Sequence, residues 1–511
     1  MKYQTFLISI FTSAFLCACV NVDEQTSEKP SVYWKAPTDA IPEKPIVVEN
    51  IKTDKILTEN SSENNSQKNA QQQKFVRSTD KIEAGVALNL PDLIDIALEN
   101  SPSTRIYWFQ AKSYAASVGK ANSAYYPQVS VSANVYRSRV KPSLAYGGAF
   151  ANVGKYYETG FGPSAEINWL LCDFGKRSAN VESARQALYA ANFEYNQAIQ
   201  DVVLNVNLAF CNFVEANGNV EAAKLNIQDA QTAYKSAQER LNSGVGNKPD
   251  MLNSLANLRN AEFALQKALA SVETARANLA NVLGIKVSDK LNIDVSVTSY
   301  ALPPTASQKI DDLVAQAMRS RQDLLASYAQ LKKAEFDVKA AKRDFLPQIS
   351  ASASASLTDY SRSGRNTQSE LQAGLGISWS IFEGFTRKYE LISAKMQERA
   401  TAQTLKQNQI KIMSDIWSAY YLYRSAQKQV ASARAAVDAN MEAYQATKVG
   451  YENGVNSIND FLNAQTRLAS ARQQQVSAES TQASAIARLA HATGALSVNS
   501  EQLGILPEIK K

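Results

Sequence analysis

Apolar and polar positions alternate along four stretches of the chain. Val129, Val131, Ala133 and Val135 alternate with Gln128, Ser130, Ser132 and Asn134. Phe161, Ala165, Ile167, Trp169 and Leu171 alternate with Gly162, Ser164, Glu166 and Asn168. Ile349 to Leu357 alternate with Ser350 to Ser356, and Leu371 to Ile381 with Gln372, Gly374, Gly376, Ser378 and Ser380. A period of two places each apolar set on one face of a strand. Strands of this length, apolar on one face and polar on the other, suit a transmembrane β-barrel. Ordinary hairpins with one buried face carry the same period. Trp169 and Trp379 close two of the strands and suit an aromatic girdle at a membrane interface.

Elsewhere the spacing is helical. No proline occurs from Ser164 to Lys248 or from Gln348 to Leu506. These windows predict two long helices, over 178–243 and 387–451, each roughly 95–100 Å at ~1.5 Å per residue. Their Ala-, Gln- and Ser-rich texture leaves only a narrow apolar stripe, as expected of a coiled coil or a wall wetted on much of its surface. Shorter helices are predicted at 92–124, 251–283, 312–345 and 457–493.

The pattern is written twice. Tyr126-Pro127-Gln128-Val129-Ser130 returns as Leu346-Pro347-Gln348-Ile349-Ser350, 220 residues later. Beyond it the spacing settles at 210: Ile167-Asn168-Trp169 matches Ile377-Ser378-Trp379, Gly244-Val245 with Asp250 matches Gly454-Val455 with Asp460, and Leu279 with Gly284 matches Leu489 with Gly494. The difference predicts a longer loop between the strands of the first half. A module repeated with its order intact is a duplication, and each copy reads helix, strand, strand, long helix, helix.

The N-terminus gives an address. Lys2 precedes an apolar run from Phe6 to Val20, too short to span a bilayer but suited to a secretory signal. The run ends in Leu16-Cys17-Ala18-Cys19, which resembles a bacterial lipoprotein cleavage box, with Cys19 the lipidated first mature residue. By resemblance to lipoprotein sorting, Val20 after that cysteine favours the outer membrane. The chain then divides into a signal peptide (1–18), a lipid-anchored flexible tether (19–88), a first repeat (89–300), a second repeat (301–497) and a C-terminal tail (498–511). The tether is rich in Asn, Gln and Ser between Glu59 and Lys74 and cannot bury enough apolar surface to order itself. Tyr33-Trp34 is the place where it would be pinned to the folded body.

Composition removes other functions. The net charge of +6 over 511 residues, with no dense basic patch, does not suggest nucleic acid. Beyond the signal region only Cys172 and Cys211 remain, too few and too far apart for a disulfide framework. The single histidine, His491, has no motif around it for a hydrolytic triad or a metal cluster, and a structural role is expected. No phosphate-binding G-x-x-x-x-G-K-[ST] is present. No catalytic, cofactor or metal site is expected.

Four strands cannot close a barrel. Open edges in lipid would leave backbone groups unpaired, so a spanning structure needs strands from further copies. Two copies would give eight strands and three would give twelve, enough to leave a lumen.

The duplicated module, with proline at each first-strand entrance, resembles the TolC-like outer-membrane efflux family. So do the strand exits Trp169-Leu170-Leu171-Cys172-Asp173-Phe174-Gly175 and Trp379-Ser380-Ile381-Phe382-Glu383-Gly384, and the turns Gly244…Asp250 and Gly454…Asp460. The lipobox brings the chain closer to the lipoprotein drug-efflux branch. The resemblance covers residues about 88 to 495. It implies a mixed α/β, mainly α fold: a homotrimer with a twelve-stranded transmembrane β-barrel continuous with a twelve-helix periplasmic α-barrel. A small equatorial region would come from about 285–310 and the C-terminal tail. Helix 92–124 would stack on 251–283, and 312–345 on 457–493.

The same resemblance implies a passive exit duct, lipid-anchored in the outer membrane and working with a periplasmic adaptor (membrane fusion) protein and an inner-membrane transporter. Small-molecule or drug efflux is the leading reading. Type I protein secretion, or a non-pore coiled-coil lipoprotein that spaces the envelope, are the alternatives. The closed periplasmic end falls at the turns 244–250 and 452–458, with Asp250, Tyr451, Asn456, Asp460 and Asn463 as gate candidates. Asn456 and Asn463 stand where the family can carry a basic and a second acidic residue. Asp250, after Pro249, competes with a role as a helix cap; Asp460, several residues into its helix, is less readily explained by capping.

Overall fold

The computed structural model describes residues 25–37, 40–41, 87–140, 143–146, 149–152, 156–287, 292–294, 309–361 and 365–496. Cys19 with the signal region, most of the 19–88 tether and the 498–511 tail lie outside the described residues. The fold is mixed α/β and mainly α. Its order is α1 (Leu90–Asn100), α2 (Pro102–Asn122), β1 (Gln128–Val140), β2 (Ser143–Tyr146), β3 (Ala149–Asn152), β4 (Tyr156–Cys172), α3 (Lys176–Asn242) and α4 (Lys248–Leu283), then α5 (Ile310–Ser320), α6 (Gln322–Arg343), β5 (Gln348–Ser361), β6 (Arg365–Ser378), α7 (Thr386–Glu452) and α8 (Ile458–Ala492). The chain forms two compact units, one holding 111–190 and 327–404, the other 26–110, 191–326 and 405–511. Each unit takes part of both sequence repeats.

The first unit is organised by an antiparallel sheet of order β1-β4-β5-β6. Register makes one face apolar across all four strands. Val129 lies opposite Ile167, which lies opposite Ala353 and then Ala373; Val131, Ala165, Ala355 and Leu371 form the next row. The intervening rows are polar: Ser130, Glu166, Ser354, Gln372 and Ser132, Ser164, Ser356, Glu370. The apolar face is bare in the single chain, with Val131 77% and Leu371 84% exposed. β1 and β6 form the two ends of the sheet order, and the four strands do not close on themselves. The longer loop of the first half contains the hairpin β2–β3, which the period of the sequence did not disclose.

The strand exits share two hydrogen bonds. The Trp169 indole N–H donates to the Tyr125 carbonyl at 3.0 Å, and that of Trp379 to the Phe345 carbonyl at 3.1 Å. Trp379 lies one residue past β6, which ends at Ser378 and not at Ile381. Arg177 donates to the Leu170 carbonyl at 2.6 Å, and Arg387 to that of Ser380 at 2.7 Å. In both exits two consecutive residues have positive φ, as Phe174-Gly175 (53° and 91°) and as Gly384-Phe385 (61° and 68°). The order of glycine and phenylalanine is reversed while the turn is kept. The Arg343 guanidinium fills the space a Cβ on Gly175 would need and donates to the Gly175 carbonyl at 2.6 Å.

Helix boundaries agree with the sequence pattern except at two breaks. The predicted helix 92–124 stops at Ser101, whose extended backbone (ψ 121°) precedes Pro102, as the steric clash of a residue before proline requires. The predicted helix 312–345 stops at the equivalent Arg321 (ψ 124°), where no proline stands. Arg321 is buried and ion-paired to the nearby Asp323 at 2.6 Å and to the distant Asp415 at 3.4 Å. Against these breaks end α4 and α8. Gly284 (φ 69°) sits on Asn100, and Gly494 (φ 68°) on Ser320 and Arg321, too close for a Cβ to fit without movement.

The Tyr33-Trp34 expectation is met within the second unit. Trp34 is buried with its ring edge-on to Phe193 at 5.3 Å. Asn196 accepts from the Trp34 N–H at 2.8 Å and donates to its carbonyl at 2.9 Å, and the Tyr195 hydroxyl donates to the Val32 carbonyl at 2.7 Å with the Lys29 carbonyl also within reach at 3.0 Å. Cys172 and Cys211 are not joined by a disulfide.

Candidate functional site: the paired helix tips

The two helix turns of the second unit are built alike. After α3, Val245 and Gly246 donate backbone N–H groups to the Arg240 carbonyl at 3.0 and 2.9 Å; after α7, Val455 and Asn456 donate to the Gly450 carbonyl at 2.7 and 3.1 Å. Gly244 (φ 75°) and Gly454 (φ 77°) take the left-handed conformation that ends a helix and satisfies its last carbonyls. Within this shared backbone one pair of side chains is exchanged. The first turn has Arg240 and Gly246, the second Gly450 and Asn456. The Asn456 amide occupies the space that a Cβ on Gly450 would need, 2.6 Å away.

Each following helix has a polar cap. The Asn247 side chain accepts from the Asp250 N–H at 2.8 Å, with Pro249 in the first turn where its missing N–H costs nothing. The Ser457 hydroxyl accepts from the Asp460 N–H at 3.2 Å and donates to the Asp460 carboxylate at 2.7 Å, while the Ser457 N–H reaches the same oxygen at 3.1 Å. Asp460 therefore closes a reciprocal capping box. This corrects the expectation that capping explains Asp460 poorly: helix α8 begins at Ile458, so Asp460 is its third residue. The bonds from Ser457 hold its carboxyl below the ordinary value of 3.8. Asp250 is likewise the third residue of its helix and is not itself the cap.

Under the turns lies an apolar cluster of Ala233, Ala237, Tyr444, Tyr451, Ile458, Phe461, Ala464 and Leu468. Tyr451 stacks on Phe461 at 5.7 Å. Arg240 donates to the carbonyls of Tyr451 (3.1 Å) and Glu452 (3.0 Å), and its guanidinium lies 5.2 Å from the Tyr451 ring centre. Burial pushes the Tyr451 hydroxyl above its ordinary range; the Asp250 charge adds to this and the Arg240 charge opposes it. Deeper in, Gln465 joins Asn257 and Asn226, and Arg472 pairs with Asp229 at 2.7 Å.

The Asp250 charge thus reaches Tyr451, which Arg240 holds from α3. Asn456 folds back onto its own turn. Asp460 and Asn463 are exposed, and Asn463 lines a shallow cleft with Asn440, Thr466, Arg467 and Gln474. Sequence reasoning missed Arg240, although a basic residue in the last helical turn is a recognised stop signal, and it missed the caps Asn247 and Ser457. Trp169 and Trp379 belong to the other unit, at the strand exits. His491 ends α8 and meets Asp201 at 2.8 Å. Burial opposes ionisation of Asp201, but hydrogen bonds from His491 and Gln197 outweigh it and hold the carboxyl below its ordinary range. Among the described residues no group of three or more His, Cys, Asp and Glu could hold a metal, and no helix is long and apolar enough to cross a membrane.

The outer membrane efflux protein family model matches residues 93–285 and 313–495, the two repeats in turn. Among curated proteins, the chain is 28% identical over 400 residues to protein CyaE of Bordetella pertussis, covering 76% of this chain and 80% of the relative. It is 25% identical over 399 residues to the outer membrane efflux protein BepC of Brucella suis, covering 76% and 81%. The fold is similar to the crystal structure of outer membrane protein VceC from Vibrio cholerae, with a TM-score of 0.67 at 19% identity over 79% of this chain and 96% of that one.

Proposed function

The chain belongs to the outer membrane efflux protein family, and from that premise we propose that three copies form the outer-membrane exit duct of a tripartite transport system for small molecules. The observation that carries this reading is the sheet, with one continuous apolar face and two unpaired edges. Three copies pairing β6 of one with β1 of the next make twelve strands, which removes every edge, sets the apolar rows against lipid and turns Glu166 and Glu370 to the lumen. Helices α3, α4, α7 and α8 continue the wall as an α-barrel in the periplasm. That role accounts for their polarity, because a tube is wet on both sides. It also accounts for the exposed Ile410, Trp417, Tyr421 and Leu422 of α7, which a neighbouring copy would cover.

The helix tips form the constricted, partner-facing end in this reading. A periplasmic adaptor docks there, and an inner-membrane transporter supplies the energy. Asp460 of three copies lines the aperture, concentrates cations and disfavours anions. Tyr451, Asp250 and Asn456 brace the tips within each copy, and Asn463 faces the neighbouring surface. Domain limits follow the repeats, 89–300 and 301–497, behind a signal peptide of 1–18, a tether of 19–88 lipidated at Cys19, and a 498–511 tail.

The barrel and not the lipid holds the protein in the membrane. Cys19→Ala behind an ordinary signal peptide leaves trimers in the outer-membrane fraction and requires detergent for their release. Release of the variant into aqueous buffer would instead favour a coiled-coil spacer without a pore.

A further inference from the structure

The apolar face of the sheet ends in two arginines. Positions 129, 131 and 135 of β1 carry valine, and the same face continues with Arg137 and Arg139. Arg139 lies directly opposite Tyr157 of β4, and Arg137 opposite Thr159, the next residue on that face. Both guanidinium groups gather on the Tyr157 ring, 5.2 and 6.0 Å from its centre. These charges stand on the face that the barrel turns to lipid.

Their depth explains how they are tolerated. Trp169 marks the end of β4 that leads into the helices, and it lies ten residues from Thr159 and twelve from Tyr157. At ~3.4 Å per residue and a tilt of about 45°, the arginines stand roughly 24 to 29 Å from Trp169 along the membrane normal. That equals the apolar height of an outer-membrane barrel, about 25 Å. A cation on the lipid face costs most at the midplane and little at the interface. Arg137, Arg139 and Tyr157 therefore mark the interface away from the helices, which is the cell-surface side when the helices are periplasmic.

We propose that Arg137 and Arg139, steadied on Tyr157, bind the phosphate groups of the glycolipid that forms the outer leaflet of the outer membrane. The proposal rests on the barrel reading. The planar guanidinium matches two phosphate oxygens with parallel N–H bonds, which an ammonium does not. The Tyr157 ring holds both cations beside it, at the edge of the apolar band where lipid phosphates lie.

The test uses the full-length protein purified in detergent and titrated in native mass spectrometry with three probes. These are bis-phosphorylated lipid A, the same lipid A stripped of both phosphates, and phosphatidylglycerol. The wild type binds phosphorylated lipid A at least about 10-fold more tightly than the stripped form, and excess inorganic phosphate competes poorly. Arg137→Gln with Arg139→Gln abolishes the difference, while the paired lysine variant keeps part of it. An undiminished difference in the glutamine variant, no phosphate dependence in the wild type, or equal binding of phosphatidylglycerol would overturn the assignment. Insertion into planar bilayers is recorded in parallel. Proteins that insert and conduct yet show no phosphate preference remove the lipid site and leave the barrel standing; a wild type that never inserts removes both.

Discussion

Arg240 of α3 ties itself to Tyr451 of α7, donating to its carbonyl at 3.1 Å while lying 5.2 Å from its ring centre. A second bond to the Glu452 carbonyl, at 3.0 Å, completes a clasp on the end of α7. One side chain thus satisfies two terminal carbonyls and carries positive charge to the negative end of the helix dipole.

Arg240→Ala is expected to cost about 1–2 kcal/mol through these bonds and to loosen the two tips from each other. Thermal dissociation of the trimer falls by a few degrees and the conductance in planar bilayers rises. Arg240→Lys keeps the charge without the fork and gives intermediate values. A variant with wild-type conductance and stability would show that the clasp does not restrain the tips.

Asp460 closes a helix cap and, in the proposed duct, lines the aperture. Its carboxyl is held below the ordinary value of 3.8 by Ser457. A lowered folded value gives a contribution that is complete above the unfolded value and is lost as pH falls through the folded one. The midpoint for loss of cation preference at low salt, where screening is weakest, is therefore expected below 3.8. Asp460→Asn lowers the preference at neutral pH while leaving the trimer intact. A midpoint above 3.8 in the wild type would mean that mutual repulsion within the ring outweighs the cap. Unchanged ion preference in Asp460→Asn would remove this residue from the gate.

The two strand exits make a paired test of backbone strain. Gly175 (φ 91°) and Gly384 (φ 61°) both lie in the left-handed region, but only Gly175 has a neighbour, Arg343, where a Cβ would go. Gly384→Ala is expected to cost about 1–2 kcal/mol from conformation alone. Gly175→Ala adds displacement of Arg343 and its 2.6 Å bond to the Gly175 carbonyl, and is the more damaging of the two by trimer dissociation temperature. The reverse order would mean that Arg343 yields freely.

The long helices, the strands and the duplication were legible because each is carried by local period. Prolines at 127 and 347 mark where the strands begin, and glycines at 244 and 454 where the long helices end. The break at Ser101 was read through, although the proline that follows it marks it, whereas at Arg321 no proline gives a signal. The helix tips were legible only in outline. Repeat matching located Asp250 and Asp460, but position alone did not distinguish a free carboxylate from the closed box that Ser457 makes. Arg240 has glycine as its repeat equivalent, at 450, so matching the halves hid it. Its place is taken in the second half by Asn456, a compensation visible only when both side chains are seen against the same backbone.

Asn196 grips Trp34 by both its N–H and its carbonyl, in the manner of a strand neighbour. Asn196→Ala leaves those buried backbone groups without this partner and is expected to cost about 1–3 kcal/mol locally. The consequence is cleavage by added protease within 25–37 while the trimer survives. Wild-type protection in this variant would show that Phe193 and Tyr195 suffice to hold the segment.

The central claim is that the open edges β1 and β6 pair between copies and close at three. Ser130→Cys on β1 is combined in turn with Gln368→Cys, Glu370→Cys and Gln372→Cys on β6, in a background with Cys172 and Cys211 replaced. All four positions share the polar face, as the register places them. Oxidation in outer membranes is predicted to give, for one of these pairs, a reducible ladder that ends at three chains. No intermolecular bond at any pair, or a ladder running past three, would contradict the closed trimeric barrel.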